Sequence, residues 1–103
     1  MRIAFIRHGP TDWNAAGRIQ GRTDIALSAA GRTKMAQLAP PPGFAGTRVF
    51  VSDLGRTQET ARLMGLAAFT IDARLAEQDW GRWEGLTVKE IRARDGEDAF
   101  LPA

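Results

Sequence analysis

The chain has 103 residues, 44% of them hydrophobic and 25% charged, and it contains no cysteine. That length supports one core and one domain over residues 1–103 and leaves too little for a second, while the absence of thiols excludes disulfides and thiolate metal sites and suits a reducing compartment. The formal charge of +2 raises nucleic acid as a partner, but twelve of the fourteen basic residues are arginines scattered from Arg2 to Arg94 among acids, which is not the grouped footprint that nucleic-acid binding uses.

The first residues lack the basic and apolar regions of a signal peptide, and no apolar run reaches membrane-spanning length. The sequence therefore predicts a cytoplasmic protein with neither a membrane nor a nucleic-acid partner. Ile3, Ala4, Phe5 and Ile6 form a short continuous apolar run, the pattern of a strand covered on both faces. Arg7 and His8 follow at its carboxyl end, the position where open α/β sheets bind ligands. His8 is the chain's only histidine. "NAAGRIQGRTDIAL", residues 14–27, has no sustained period and reads as an ordered loop of a length that usually carries function.

Ser28 is the predicted N-cap of a helix from about Ala29 to Ala39, with Leu27, Met35 and Leu38 as apolar positions and Pro40 to Pro42 as its stop. Val49, Phe50 and Val51 repeat the opening pattern as a second strand, which ends in Ser52 and Asp53. A helix should follow, with Ala61, Leu63 and Met64 on its apolar face and Gly65 at its end. "FTIDARL", residues 69–75, is a weaker strand signal, and "AEQDWGRWEG", residues 76–85, is a loop with two tryptophans. "LTVKEIRARDG", residues 86–96, is a helix capped by Thr87 and closed by Gly96. The tail "EDAFLPA" completes no element.

This order presents two polar strand ends, Arg7-His8-Gly9 and Ser52-Asp53, with Arg56 at the start of the second helix. At these residues the chain resembles the histidine phosphatase superfamily, also called phosphoglycerate mutase-like. "RHGPTDWN" matches its RHG nucleophile motif, "GRIQGRTDIALSAAG" its substrate loop and first helix, "SDLGRTQETA" its second arginine motif, and "LAEQDWGRWEG" its acid loop, in the family's order. The resemblance implies an α/β fold, three layers α/β/α around a mostly parallel sheet. It also implies phosphomonoester hydrolysis through a phosphohistidine on His8, with a small phosphorylated metabolite as substrate and with no cofactor or metal.

By the same resemblance Arg7 and Arg56 bind phosphate, Glu77 is the general acid and base, and Asn14, Gln20 and Gly21 line the substrate or phosphate pocket. Thr11 and Thr57 are weaker candidates. The residue types suit the chemistry. A neutral imidazole attacks phosphorus well once its other nitrogen donates to a fixed acceptor, guanidinium forks neutralise the phosphoryl oxygens, and one carboxyl in a partly desolvated site can first give and later take a proton. Trp80 and Trp83 read as packing or pocket walls, and Glu59, Glu84 and Glu90 as structural or surface acids. The loop "DWGRWEG" looks more like the phosphatase branch than the mutase branch, whose loop is richer in histidine and tyrosine; mutase-type phosphoryl transfer is the alternative within the family.

The family's second histidine, which follows a later strand and completes the phosphate pocket, has no counterpart here. Nor do the later strands and helices, including a strand that lies between the first two seen in this sequence. The chain thus reads as the N-terminal portion of such an enzyme, and its own turnover is in question. The competing function is a noncatalytic phosphate-binding fragment or pseudoenzyme. Sheet edges without partners recruit other chains, so the sequence also predicts self-association, most simply as a twofold dimer, against a compact monomer in which strands 3–6 and 49–51 pair directly.

Overall fold

A computed structural model of the chain describes residues 1–66 and 68–100, and residues 101–103 of the predicted tail lie outside them. In chain order the elements are α1 (Asp12–Ala15), α2 (Ala29–Ala36), β1 (Phe50–Val51), α3 (Gly55–Leu63), β2 (Thr70–Ile71) and α4 (Val88–Asp95). Two single-turn 3-10 helices, Ala73–Leu75 and Gly81–Trp83, lie between β2 and α4. Among the described residues no helix is long and apolar enough to cross a membrane.

Local chemistry explains the helix boundaries. The Ser28 hydroxyl accepts the Gly31 N–H at 2.9 Å and starts α2. That helix ends at Gln37, short of the predicted Ala39, because the residues leading into Pro40 are pushed out of the helical region. Thr87 and Glu90 form a reciprocal capping box at the start of α4, and Gly96 closes it at φ +99°. α3 has no side-chain cap of its own. Instead Asp24 reaches across from the long loop and accepts the Gly55 N–H at 2.9 Å. Gly65, at φ +82°, lets the chain leave α3 in a left-handed turn.

The architecture is α/β, with one parallel pair of strands in the register Phe50 to Thr70 and Val51 to Ile71. The weak signal at 69–75 is thus a real strand, extended by the Thr70 N–H to the Val49 carbonyl at 2.9 Å. The strong signal at 3–6 is not a strand. Those residues pair with no other described residue, and Ile3 and Phe5 stand 65% and 91% exposed. An apolar run announces that a strand has two faces to cover, but its hydrogen bonds must come from neighbours elsewhere in the chain. Direct pairing of 3–6 with β1 does not occur; β1 pairs only with β2.

The core forms where α2 and α3 pack. Leu27, Met35 and Met64 are buried together, with Leu63 and Leu66 against them. The turn after His8 lies directly on this core. A Cβ on Gly9 would come within 2.5 Å of Met35 Cγ, and one on Gly31 would come within 2.1 Å of the Pro10 carbonyl oxygen. Gly31 therefore lets α2 approach the backbone of the turn. A helical glycine replaced by alanine normally gains stability, by about 1 kcal/mol. At position 31 the sign should reverse: Gly31→Ala should lower stability by about 1–3 kcal/mol, read as a lower denaturation midpoint, and a neutral or stabilising result would contradict the close contact.

Candidate functional site

His8 is placed by its neighbours rather than by a sheet. The Gly9 N–H donates to the Thr60 hydroxyl at 2.9 Å, and that hydroxyl donates to the Arg56 carbonyl at 2.7 Å, so α3 holds the backbone beside the imidazole. The Pro10 carbonyl accepts the Ser28 N–H at 3.0 Å, which ties the same turn to the start of α2. Thr11, fully buried, caps α1: its hydroxyl accepts the Asn14 N–H, and the Asn14 side chain returns to the Thr11 N–H at 3.0 Å. The Thr11 hydroxyl also donates to the Gln20 side-chain oxygen. Thr11 thus orients Asn14 and Gln20, while Thr57 serves only its own helix start, bonding to Ser52 and Leu54.

The imidazole is half-buried. Its Nδ1–H donates to the Gly9 carbonyl at 2.7 Å; a carbonyl only accepts, so this contact fixes the tautomer and leaves the lone pair on Nε2. Burial pulls the His8 pKa below 6.5, the Arg56 and Arg7 charges act in the same direction, and the Gly9 hydrogen bond and Glu77 oppose them. The ring is neutral at pH 7.

A cavity of about 380 Å³ is lined by Arg7, His8, Asn14, Arg18, Ile19, Gln20, Glu77 and Trp80. Six of the residues named from sequence, Arg7, His8, Asn14, Gln20, Glu77 and Trp80, therefore meet around one space. Arg7 is exposed and makes no hydrogen bond to another described residue. Arg56 and Gly21 lie behind the wall instead. The Arg56 side chain is completely buried; Nη1 donates to the Thr23 carbonyl at 2.7 Å, and Nη2 donates to the Gly21 carbonyl at 2.6 Å and to Glu77 Oε2 at 3.2 Å. Its Nε is buried with no partner among the described residues. Glu77 is 43% exposed, so the partly desolvated setting asked of the acid is not what surrounds it here. A wider depression of about 580 Å³ between α2 and α3, lined by Asp24, Arg32, Glu59 and Arg62 among others, contains none of these residues.

Glu84 does more than a surface acid would. Its carboxylate accepts the N–H groups of Arg22 at 3.1 Å, Thr23 at 2.8 Å and Trp80 at 3.0 Å, together with the Thr23 hydroxyl. Burial alone would push its pKa up, but these donors outweigh burial and hold it at about 2. The clamp joins the loop carrying Gln20 and Gly21 to the loop carrying Glu77. Nothing in local sequence periodicity announces it. Trp80, expected as packing or a pocket wall, lines the cavity and stacks on Trp83 with ring centroids 6.0 Å apart. Arg18, Ile19 and the positioning role of Thr60 were not singled out from sequence; the one local hint for Thr60 is its place one turn after Arg56 on the same helix face.

Comparison with known proteins bears on the same residues. Residues 3–101 match the histidine phosphatase superfamily (branch 1). The chain belongs to that superfamily. It is 42% identical over 95 residues to the probable phosphoglycerate mutase GpmB of Enterobacter sp. (strain 638), an alignment covering 88% of this chain and 44% of that protein. Among solved structures it is similar to a mycobacterial glucosyl-3-phosphoglycerate phosphatase complexed with VO3, at TM-score 0.74 and 34% identity, covering 90% of this chain and 48% of that one. It is also similar to a putative alpha-ribazole-5'-P phosphatase from Escherichia coli K-12, at TM-score 0.77 and 30% identity, covering 91% and 50%. The chain thus spans about half the length of the relatives it matches, and its fold is that of the superfamily.

As the only histidine, His8 gives one set of imidazole resonances, which makes its titration directly readable by NMR. Its midpoint should lie below 6.5. Arg7→Gln removes a charge that lowers the pKa and should move the midpoint up; Glu77→Gln removes one that raises it and should move the midpoint down. A folded-state pKa below the unfolded value means that the His8 contribution to stability is fully present above about pH 6.5 and is lost as pH falls through the folded midpoint. Identical midpoints in all three proteins would show that the two side chains do not act on the ring.

Proposed function

We propose that the chain works on a small phosphomonoester and passes the phosphoryl group through a phosphohistidine on His8. The observation that carries this reading is the imidazole itself. It is neutral, its tautomer is fixed by the Gly9 carbonyl, and it shares a cavity with Arg7, whose guanidinium has no partner among the described residues. In the first step the Nε2 lone pair forms the N–P bond while the ester P–O bond breaks, and the protonated Glu77 carboxyl gives its proton to the departing alkoxide. In the second step water attacks phosphorus, the Glu77 carboxylate takes its proton, and the N–P electron pair returns to Nε2. Arg7 and the Arg56 charge behind the wall offset the charge on the equatorial oxygens.

Two observations keep other readings in view. Curated relatives carry mutase names, which favours transfer of the phosphoryl group back to a metabolite in place of water. The loop of residues 79–85 contains two tryptophans and neither histidine nor tyrosine, which favours the phosphatase branch. A chain that binds phosphate with little turnover is the second reading, favoured by the exposed setting of Glu77. A phosphomonoester panel run with the 103-residue chain, His8→Ala and Arg7→Ala separates these readings. The hydrolytic reading expects release of phosphate by the wild type, reduced about 10³-fold or more in His8→Ala. Calorimetric binding of inorganic phosphate that depends on Arg7, with no turnover, is the result for the noncatalytic reading; equal hydrolysis by wild type and His8→Ala would remove His8 from the mechanism.

We also propose that the chain self-associates. Ile3 and Phe5 on the unpaired N-terminal segment are joined by Phe50, Ile71 and Leu75 as large exposed apolar side chains. The radius of gyration is 15.7 Å, against about 13 Å for a compact domain of this size. Unpaired backbone and exposed apolar side chains favour association, and a twofold dimer is the simplest closed form. Light scattering over a dilution series should show a dimer mass that falls on dilution, and Phe5→Lys should shift it to monomer. A monomer mass at all micromolar concentrations, with concentration-independent unfolding, would exclude association.

A further inference from the structure

α3 carries a buried hydroxyl that its own helix does not need. Thr60 is only 5% exposed, and inside a helix threonine is less favourable than alanine. Its hydroxyl hydrogen is committed to the Arg56 carbonyl at 2.7 Å, one turn back. A hydroxyl whose hydrogen is spent can act elsewhere only as an acceptor. Thr60 does so at long range, accepting the Gly9 N–H at 2.9 Å.

Gly9 is also the residue whose carbonyl accepts the His8 Nδ1–H at 2.7 Å. A glycine has no side chain to restrict its backbone, so the direction of that carbonyl is set by the anchors on either side of it. Before it is the Gly9 N–H held by Thr60; after it is the Pro10 carbonyl, which accepts the Ser28 N–H at 3.0 Å. The order of an α3 carbonyl is thus passed through the Thr60 hydroxyl and Gly9 to the imidazole. Once the Gly9 carbonyl turns away, the ring proton can sit on either nitrogen, and the lone pair is no longer confined to Nε2.

We infer that Thr60 is a positioning residue that selects the nucleophilic nitrogen of His8: through Gly9 it keeps the proton on Nδ1 and the lone pair on Nε2. Its bearing on phosphoryl transfer rests on the phosphohistidine reading. As Nε2 forms the N–P bond the ring gains positive charge, and the Nδ1–H on the Gly9 carbonyl is where that charge is met.

The test uses nitrogen NMR of the His8 ring in the 103-residue chain at about pH 8, where the ring is neutral, and phosphorus NMR after incubation with phosphoramidate. This donor gives up its phosphoryl group as the Nε2–P bond forms, its own P–N bond breaks and ammonia leaves from the protonated donor nitrogen. The wild type should show one tautomer, with Nδ1 protonated and Nε2 bare, a Gly9 amide that exchanges slowly with solvent, and phosphorylation at Nε2 alone. Thr60→Val keeps the shape without the hydroxyl; it should give mixed tautomers and phosphorylation that is about tenfold slower and divided between the two nitrogens. Thr60→Ser should restore the wild-type pattern. The His8 midpoint separates this role from simple loosening of the turn, because Arg56, Glu77 and Arg7, the charged groups that act on the ring, are unchanged. Loss of the Gly9 bond moves the midpoint down, whereas exposure of the ring moves it up towards 6.5. Mixed tautomers in the wild type or in Thr60→Ser, a single tautomer kept by folded Thr60→Val, or a midpoint that rises in that variant overturns the proposal. Should Thr60→Val not fold, the wild type and Thr60→Ser decide: one tautomer with slow Gly9 exchange in both sustains the proposal, and one tautomer beside rapid Gly9 exchange overturns it. A wild type that keeps its tautomer yet takes no phosphoryl group overturns the phosphohistidine reading and leaves the role of Thr60 standing.

Discussion

The fully buried guanidinium of Arg56 is the constraint around which the rest of the site is arranged. A buried charge is tolerated only where its donors are met, and here two of its acceptors are the carbonyls of Gly21 and Thr23, on a loop with no regular structure. Those carbonyls face inward because the N–H groups of Arg22 and Thr23 are taken from the other side by Glu84. The loop lies between a cation that binds its carbonyls and an anion that binds its amides. Gly21 makes this possible: it sits at φ +57°, and a Cβ there would fall 2.5 Å from Glu84 Oε2.

From this layer the ordering spreads in two directions. Arg56 also reaches Glu77, whose side chain is partly exposed, and its own backbone carbonyl receives Thr60, which in turn holds Gly9. Glu77 and His8 are thus referenced to one helical turn of α3. Glu84 reaches Trp80 by the same carboxylate that binds the loop. The electrostatic consequence is seen on His8. Burial is the largest effect on the ring, and the nearby arginines reinforce it, so both favour the unprotonated imidazole.

What the sequence disclosed follows the range of the interactions involved. Ser28, Thr87, Gly65 and Gly96 act within one turn of their own helices, and each marks its boundary where expected. Arg7, His8, Asn14, Gln20 and Glu77 were legible because motif order carries them, and the fold gathers them around one cavity. Arg56 was named from sequence as a phosphate-binding residue, but its place behind the wall depends on the carbonyls of residues 21 and 23, which no local pattern reports. Glu84 is bonded to residues 61 and 62 positions away in sequence, and no local pattern reports a clamp of that span. The error at residues 3–6 has the same origin: their apolar run is local, whereas a ladder of hydrogen bonds is not.

That error also shows what supports the candidate site. The strand expected to deliver His8 does not form, yet the turn from Gly9 to Thr11 is fixed by Thr60 on α3, by Ser28 at the start of α2, and by the contacts of Gly9 with Met35 and of Gly31 with Pro10. Each of these anchors lies after the point where the strand would have ended. The position of the imidazole is therefore set by helices and by close backbone packing, and the sheet contributes little to it. Pairing of residues 3–6 with another strand would cover apolar surface and remove an open edge without rebuilding the anchors of His8. In this chain, completing the sheet and holding the turn that carries His8 are separable problems, and the described residues already solve the second.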